Sequence, residues 1–210
     1  MAFDTRWGAT YTPDAFEPFF PGSFLAMADQ ERVTIVGEDG VRRSLARMAL
    51  QIVERNDGAS DLVLLGIQRR GKELAERIQK EIRRTEGVEV PAGSLDITLY
   101  RDDLMTVGPK PVVGESQLPL AGIDDLRVVV VDDVLFTGRT IRAALNELMD
   151  WGRPSGIDLC VLVDRGGREL PIQPDIVGRT LPVGPDQRVD VRVPEIDDRL
   201  AVELVTKEGA

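Results

Sequence analysis

Residues 128–140 read Val-Val-Val-Val-Asp-Asp-Val-Leu-Phe-Thr-Gly-Arg-Thr, and they hold the residue types best placed to do chemistry in this chain. An apolar run without alternation, Val128 to Val131, has the pattern of a parallel strand covered on both faces. Asp132 and Asp133 fall at its carboxyl end. Adjacent carboxylates repel each other and are poor core residues, so they call for solvent or for a ligand rich in hydroxyl groups and metal, such as a ribose. Thr137, Gly138 and Thr140 then lead into the amphipathic segment Ile141 to Met149. Free backbone N–H groups and the positive end of a helix dipole converge on such a turn and suit a phosphate. The acid pair alone also fits metal-binding and phospho-acceptor sites, and Thr-Gly before a helix is also an ordinary N-cap turn. All thirteen residues in this order point to a phosphorylated sugar.

The stretch resembles the phosphoribosyl pyrophosphate (PRPP) motif of type I phosphoribosyltransferases. Residues 91–104, and Val163-Asp164-Arg165-Gly166 followed by Arg168-Glu169-Leu170-Pro171-Ile172, narrow the resemblance to the PyrR family of pyrimidine-operon attenuation regulators and uracil phosphoribosyltransferases. It covers roughly residues 33 to 205. The resemblance implies an α/β type I phosphoribosyltransferase fold, a mainly parallel twisted sheet flanked by helices with a flexible flap loop. It further implies conversion of uracil and PRPP to UMP and pyrophosphate, and binding of a pyr-operon mRNA leader under control of UMP or UTP. Mg²⁺ is then held mainly by PRPP, with no direct protein ligands and no organic cofactor, and the chain forms a homodimer or higher homo-oligomer. The alternatives are a salvage uracil phosphoribosyltransferase with weak or no RNA binding, and a phosphoribosyltransferase for a purine or orotate.

Residue by residue, the resemblance makes Asp132, Asp133 and Arg70 the catalytic candidates. Val134, Leu135, Phe136, Thr137, Gly138, Arg139 and Thr140 complete the PRPP loop. Gln68-Arg69-Arg70-Gly71 matches the pyrophosphate loop, with Arg69 where other members commonly carry threonine, and Arg101 stands at the root of a flap over about 102–122. Asp164-Arg165-Gly166, with Arg165 foremost, and the segment around Val189 are implied as walls of the uracil pocket. RNA-binding members carry a threonine and a histidine on the first helix and a basic series after the Asp-Arg-Gly turn. Here those positions are Ala46 and Leu50, then Gly167, Arg168, Gln173 and Arg179, so only Arg168 and Arg179 keep positive charge. With 26 basic against 36 acidic residues, the chain carries a formal charge of −10, so phosphate binding through counterion release has few cations to draw on.

The elements that must position these residues follow from periodicity. Val41, Leu45, Met48, Ala49 and Ile52 predict an amphipathic helix over 40–55. Strands are expected at Leu62 to Ile67, Asp96 to Arg101, 127–132 and 157–163, with connecting helices at 71–84 and 138–150. The site then belongs at the carboxyl ends of the parallel strands. A chain of 210 residues, 42% hydrophobic and 30% charged, suits one α/β domain, here 33–210. Residues 1–32 form an extension of unknown role, rich in aromatics and broken by Pro13, Pro18 and Pro21, expected to be dispensable for activity; initiation at Met27 would omit most of it. No apolar run approaches a membrane span and the start lacks a signal pattern, so a cytoplasmic location is expected. Histidine is absent, which removes Ser-His-Asp and Cys-His hydrolysis and His-ligated zinc together. The single cysteine, Cys160, lies in an apolar strand and reads as a core residue.

Overall fold

The computed structural model describes residues 31–100, 114–119 and 122–206. The candidate Arg101, most of the expected flap and the segment 1–30 lie outside the described residues. Five parallel strands run in the order β3 (Ala92–Leu95), β2 (Leu62–Ile67), β4 (Arg127–Leu135), β5 (Gly156–Asp164), β6 (Ile176–Thr180). Every residue of β2 is buried, as a doubly covered parallel strand requires. Alternation then sends Leu64, Val129, Val131, Cys160 and Leu162 into one core, beneath the helices α1 (Glu38–Arg55) and α2 (Arg70–Glu86). Val63, Leu65, Val128, Val130 and Val161 enter a second core beneath α3 (Arg139–Trp151). Cys160 is fully buried, and burial pushes its thiol upward, so it stays an inert core residue.

The strands expected at 62–67, 127–132 and 157–163 all form, and β4 runs three residues further, through both acids to Leu135. The strand expected over 96–101 is a correction. It lies four residues earlier as β3, and a 3-10 turn at Ile97–Tyr100 follows. Asp96 ends it, because its carboxylate accepts the Thr98 N–H at 2.9 Å and bends the chain, a local bond that outcompetes the β-branched pattern downstream. Gly93 lets the Gln117 carbonyl approach so closely that a Cβ would stand 2.1 Å from it, and Ser94 and Gln117 exchange backbone bonds there.

A second sheet was not anticipated from the sequence. Strands β1 (Glu31–Val36), β8 (Ala201–Thr206) and β7 (Gln187–Arg192) pair antiparallel in that order, with the short α4 (Pro194–Asp197) between β7 and β8. Val189, Val191 and Val202 pack into the first core, so this sheet sits on the α1 and α2 side of the parallel sheet.

Close backbone contact seats α2. A Cβ on Gly66 would lie 2.4 Å from the Gly71 carbonyl, and one on Gly71 would lie 2.5 Å from the Val131 carbonyl. Neither neighbour is a flexible side-chain end, so Gly71→Ala must push the helix away from β4. Overpacking of this kind costs about 1–3 kcal/mol. A lowered urea midpoint relative to the parent chain is the expected outcome.

Candidate functional site

At the end of β4, Asp132 is 5% exposed and Asp133 half-buried. The Asp132 carboxylate accepts the Asp133 N–H at 2.9 Å, and that of Asp133 accepts the Val134 N–H at 2.8 Å. Burial raises the Asp132 carboxyl well above the ordinary range, and the neighbouring Asp133 charge raises it further. Burial raises Asp133 as well, opposed by the Val134 N–H and by the positive charge of Arg70. A buried, mutually repelling acid pair without a complete counter-charge destabilises the free protein, and such strain collects where ligands bind.

Beside it, the chain turns through Phe136, Thr137 and Gly138 into α3. Gly138 adopts φ +92°, a left-handed conformation that favours glycine. Gly138 at the N-cap has no side chain to offer the helix, so the dipole faces the turn, where the first N–H, that of Arg139, meets a side chain, the Thr137 hydroxyl at 3.3 Å. Residues 164–172 brace the turn from outside. The Thr137 carbonyl accepts the N–H groups of Glu169 and Leu170 at 3.0 and 3.1 Å, and Arg139 pairs with Glu169 at 2.7 Å. Thr140 is exposed at the start of the helix, while Val134 and Leu135 belong to the strand and Leu135 packs into the second core.

The Gln68–Gly71 loop reaches the same end of the sheet, since Gly71 abuts the backbone of Val131 and Asp132. Arg69 is exposed and has no ion-pair partner among the described residues. Arg70 forms a two-bond fork with Asp197, Nε to Oδ2 at 3.1 Å and Nη2 to Oδ1 at 3.0 Å. Arg70 first, and Arg192 at 2.8 Å, hold the Asp197 carboxyl far below the ordinary carboxylate range.

Arg165 lies over the Phe136 ring, 3.9 Å from its centre, and both line a cleft of about 260 Å³ with Pro185, Asp186, Gln187, Arg188 and Val205. The Val189 side chain is not a wall of this cleft: it is 7% exposed and belongs to the core, and its neighbours Gln187 and Arg188 face the opening instead. Arg168, expected on an RNA face, is engaged internally. It pairs with Asp164 at 2.7 Å and donates to the carbonyls of Phe136 and Ile172 at 2.9 Å, with 13% of its side chain exposed. Arg179 is exposed and bonds the Ser44 hydroxyl at 3.2 Å.

Sequence reasoning named Asp164 in the Asp-Arg-Gly turn and the segment around Val189, and it missed Asp197. Asp197 is 127 positions from Arg70, and no local pattern announces such a pairing. Among the described residues no cluster of three His, Cys, Asp or Glu could hold a metal ion.

Residues 38–197 match the phosphoribosyl transferase domain family. Similar proteins include the bifunctional protein PyrR of Deinococcus radiodurans, 52% identical over 84% of this chain and 96% of that one. That of Herpetosiphon aurantiacus is 57% identical over 78% and 90%. Similar solved structures include hypoxanthine phosphoribosyltransferase of Trypanosoma cruzi, TM-score 0.62 and 18% identity, covering 83% of this chain and 97% of that one. A hypoxanthine-guanine phosphoribosyltransferase of Bacillus anthracis gives TM-score 0.61 and 19% identity over 82% and 96%. At that identity the structures establish the fold alone.

The raised carboxyl of Asp132 has a signed consequence. A folded-state pKa above the unfolded value contributes stability at low pH that is lost as pH rises through the folded pKa. Asp132→Asn is therefore expected to raise the melting temperature of the free protein at neutral pH, by roughly 2–4 °C per kcal/mol recovered, while reducing turnover. Melting curves from pH 4 to 8 beside activity assays check both halves.

Proposed function

Since the chain belongs to the PyrR branch of the phosphoribosyl transferase family, we propose that it is bifunctional, converting uracil and PRPP to UMP and pyrophosphate and binding a pyrimidine-operon mRNA leader under uridine-nucleotide control. The observation that carries the enzymatic half is the junction of β4 and α3, where a buried acid pair meets an uncapped helix start. Asp132 and Asp133 take the ribose hydroxyls, the 137–140 turn takes the 5′-phosphate, and Arg70 takes the diphosphate. The cleft beside Phe136 and Arg165 takes the base. Uracil N1 bonds to ribose C1′ as the C1′–O bond to diphosphate breaks, with the N1 proton passing to solvent. Positive charge develops on the ribose, so fixed electrostatics and positioning lower the barrier and a histidine base is unnecessary. Mg²⁺, held mainly by PRPP itself, would supply charge neutralisation for the leaving diphosphate. No helix of the described residues is long and apolar enough to cross a membrane. The cytoplasm, where PRPP and nascent transcripts meet, is the working location, and the chain acts as a homo-oligomer.

Support for the RNA half lies on α1. An open depression of about 540 Å³ is lined by Arg43 and Arg179 together with the acidic helix start, Glu38 and Asp39. Arg43 is exposed and has no ion-pair partner among the described residues. The internal engagement of Arg168 favours a second reading, a uracil phosphoribosyltransferase with weak RNA affinity.

Purified protein with uracil, PRPP and Mg²⁺ is expected to release UMP and pyrophosphate in equal amounts, and chelation of the metal to stop it. Orotate, hypoxanthine and guanine are expected to be poor acceptors. Asp132→Asn with Asp133→Asn removes two charge-assisted contacts, each worth about 1.5–3 kcal/mol, so kcat/KM should fall by roughly 10² to 10⁴. Near-normal turnover in that double variant refutes the site. In gel shifts with the organism's own pyr leader, Arg43→Ala and Arg179→Ala should each flatten the salt dependence by roughly 0.7 to 0.9. No measurable complex at low salt selects the second reading.

A further inference from the structure

We propose that Asp197 is the positioning residue that holds Arg70 ready for the diphosphate of PRPP, a role that rests on the functional reading above. Arg70 is the first residue of α2 and keeps a third of its side chain exposed. Its fork to Asp197 uses two of the five guanidinium donors and fixes the plane of the group, leaving three donors for a ligand. The charge of Asp133 acts on the same guanidinium, so Arg70 lies between the acid pair of β4 and the α4 turn.

Asp197 is itself fixed. Its side chain is 9% exposed, and it accepts the Val193 N–H at 3.2 Å and Arg192 Nη1 at 2.8 Å. Arg192 in turn donates through Nε at 3.0 Å to Glu203, a β8 carboxylate that is 1% exposed and also pairs with Arg199 at 2.5 Å. The chain Arg70–Asp197–Arg192–Glu203 thus ties the pyrophosphate loop to the antiparallel sheet, and the carboxylate at its centre cannot swing into water. An unheld arginine loses rotamer freedom when it clamps a diphosphate, and one already held loses little. Asp197 strengthens diphosphate binding without touching it. Arg192 divides its charge between Asp197 and Glu203, so Asp197 does not neutralise Arg70 alone, and the three remaining Arg70 donors stay available to the ligand.

The test separates diphosphate from the rest of the site, because UMP occupies the ribose, phosphate and base positions and lacks the diphosphate. Asp197→Asn keeps the side-chain volume and an acceptor for the Val193 N–H, and it removes the charge and one arm of the fork. Titration calorimetry with Mg²⁺ should show affinity for pyrophosphate and for PRPP falling about tenfold, one lost charge-assisted contact, with UMP affinity within about twofold of the parent. The KM for PRPP should rise more than kcat falls. In an Arg70→Gln background Asp197→Asn should add nothing, since the residue acts only through Arg70. If Asp197→Asn melts below the assay temperature, Asp197→Glu is used instead. It keeps the charge and displaces the fork by one methylene, and the same selective loss of PRPP affinity is expected. Tighter pyrophosphate binding in either variant would mean that Asp197 competes with the ligand for Arg70, and overturns the proposal. So do an equal loss of UMP and PRPP affinity, unchanged PRPP affinity, or losses that add in the double variant. A parent protein that makes no UMP and binds no PRPP overturns the functional reading instead, before any variant is compared.

Discussion

The repulsion between two buried carboxylates at the end of β4 is the constraint around which the rest of the structure is arranged. A strand of valines can be laid down wherever both of its faces are covered, but Asp132 and Asp133 can be buried only where backbone N–H groups and an arginine converge on them. The end of β4 supplies the first and Arg70, at the start of α2, the second. Each compensates only in part, and the Asp132 carboxyl stays raised by burial. The residual cost is characteristic of a site shaped for a ligand's charges and hydroxyls in preference to its own stability.

The glycines follow from the same constraint. Bringing the start of α2 against the carboxyl end of β4 demands that backbone meet backbone at Gly66 and Gly71. The turn before α3 demands a left-handed residue at Gly138, whose missing side chain also leaves room for Leu170 and Ile172, about a van der Waals contact away. The 164–172 segment then holds the turn from outside through Arg168 and the Glu169 and Leu170 N–H groups. A positive residue in this segment therefore does structural work, which is why charge at position 168 is a weak guide to RNA binding.

Legibility in the sequence tracked the range of the interactions. The fully buried parallel strands β2, β4 and β5 were legible because continuous apolar runs between turns leave few other conformations, and the β4–α3 junction was legible because all of its parts lie within thirteen residues. The position of β3 was obscured by one Asx bond at Asp96, which converts a β-branched run into a 3-10 turn. The antiparallel sheet was missed because its strands come from the two ends of the described chain, with β1 paired to β8 across some 170 residues. Val189 illustrates the limit within one strand: resemblance marks the segment, whereas alternation sends Val189 and Val191 into the core and leaves the cleft to Gln187 and Arg188 at the open start of β7.

That second sheet changes how the site is held. The parallel sheet fixes the acid pair and the phosphate turn from one side, through elements close in sequence. The Arg70 side chain and the mouth of the cleft beside Phe136 and Arg165 are bounded from the other side by residues of β7, α4 and β8. On the proposed reading, the base that arrives at C1′ and the diphosphate that leaves it both meet side chains anchored to the same small sheet, whereas the ribose and 5′-phosphate meet the large one. A displacement at C1′ needs the ribose held still while its partners approach and leave along one line. On that reading one sheet carries the ribose contacts and the other the contacts to the two groups that exchange at C1′, so no single element is asked to do both.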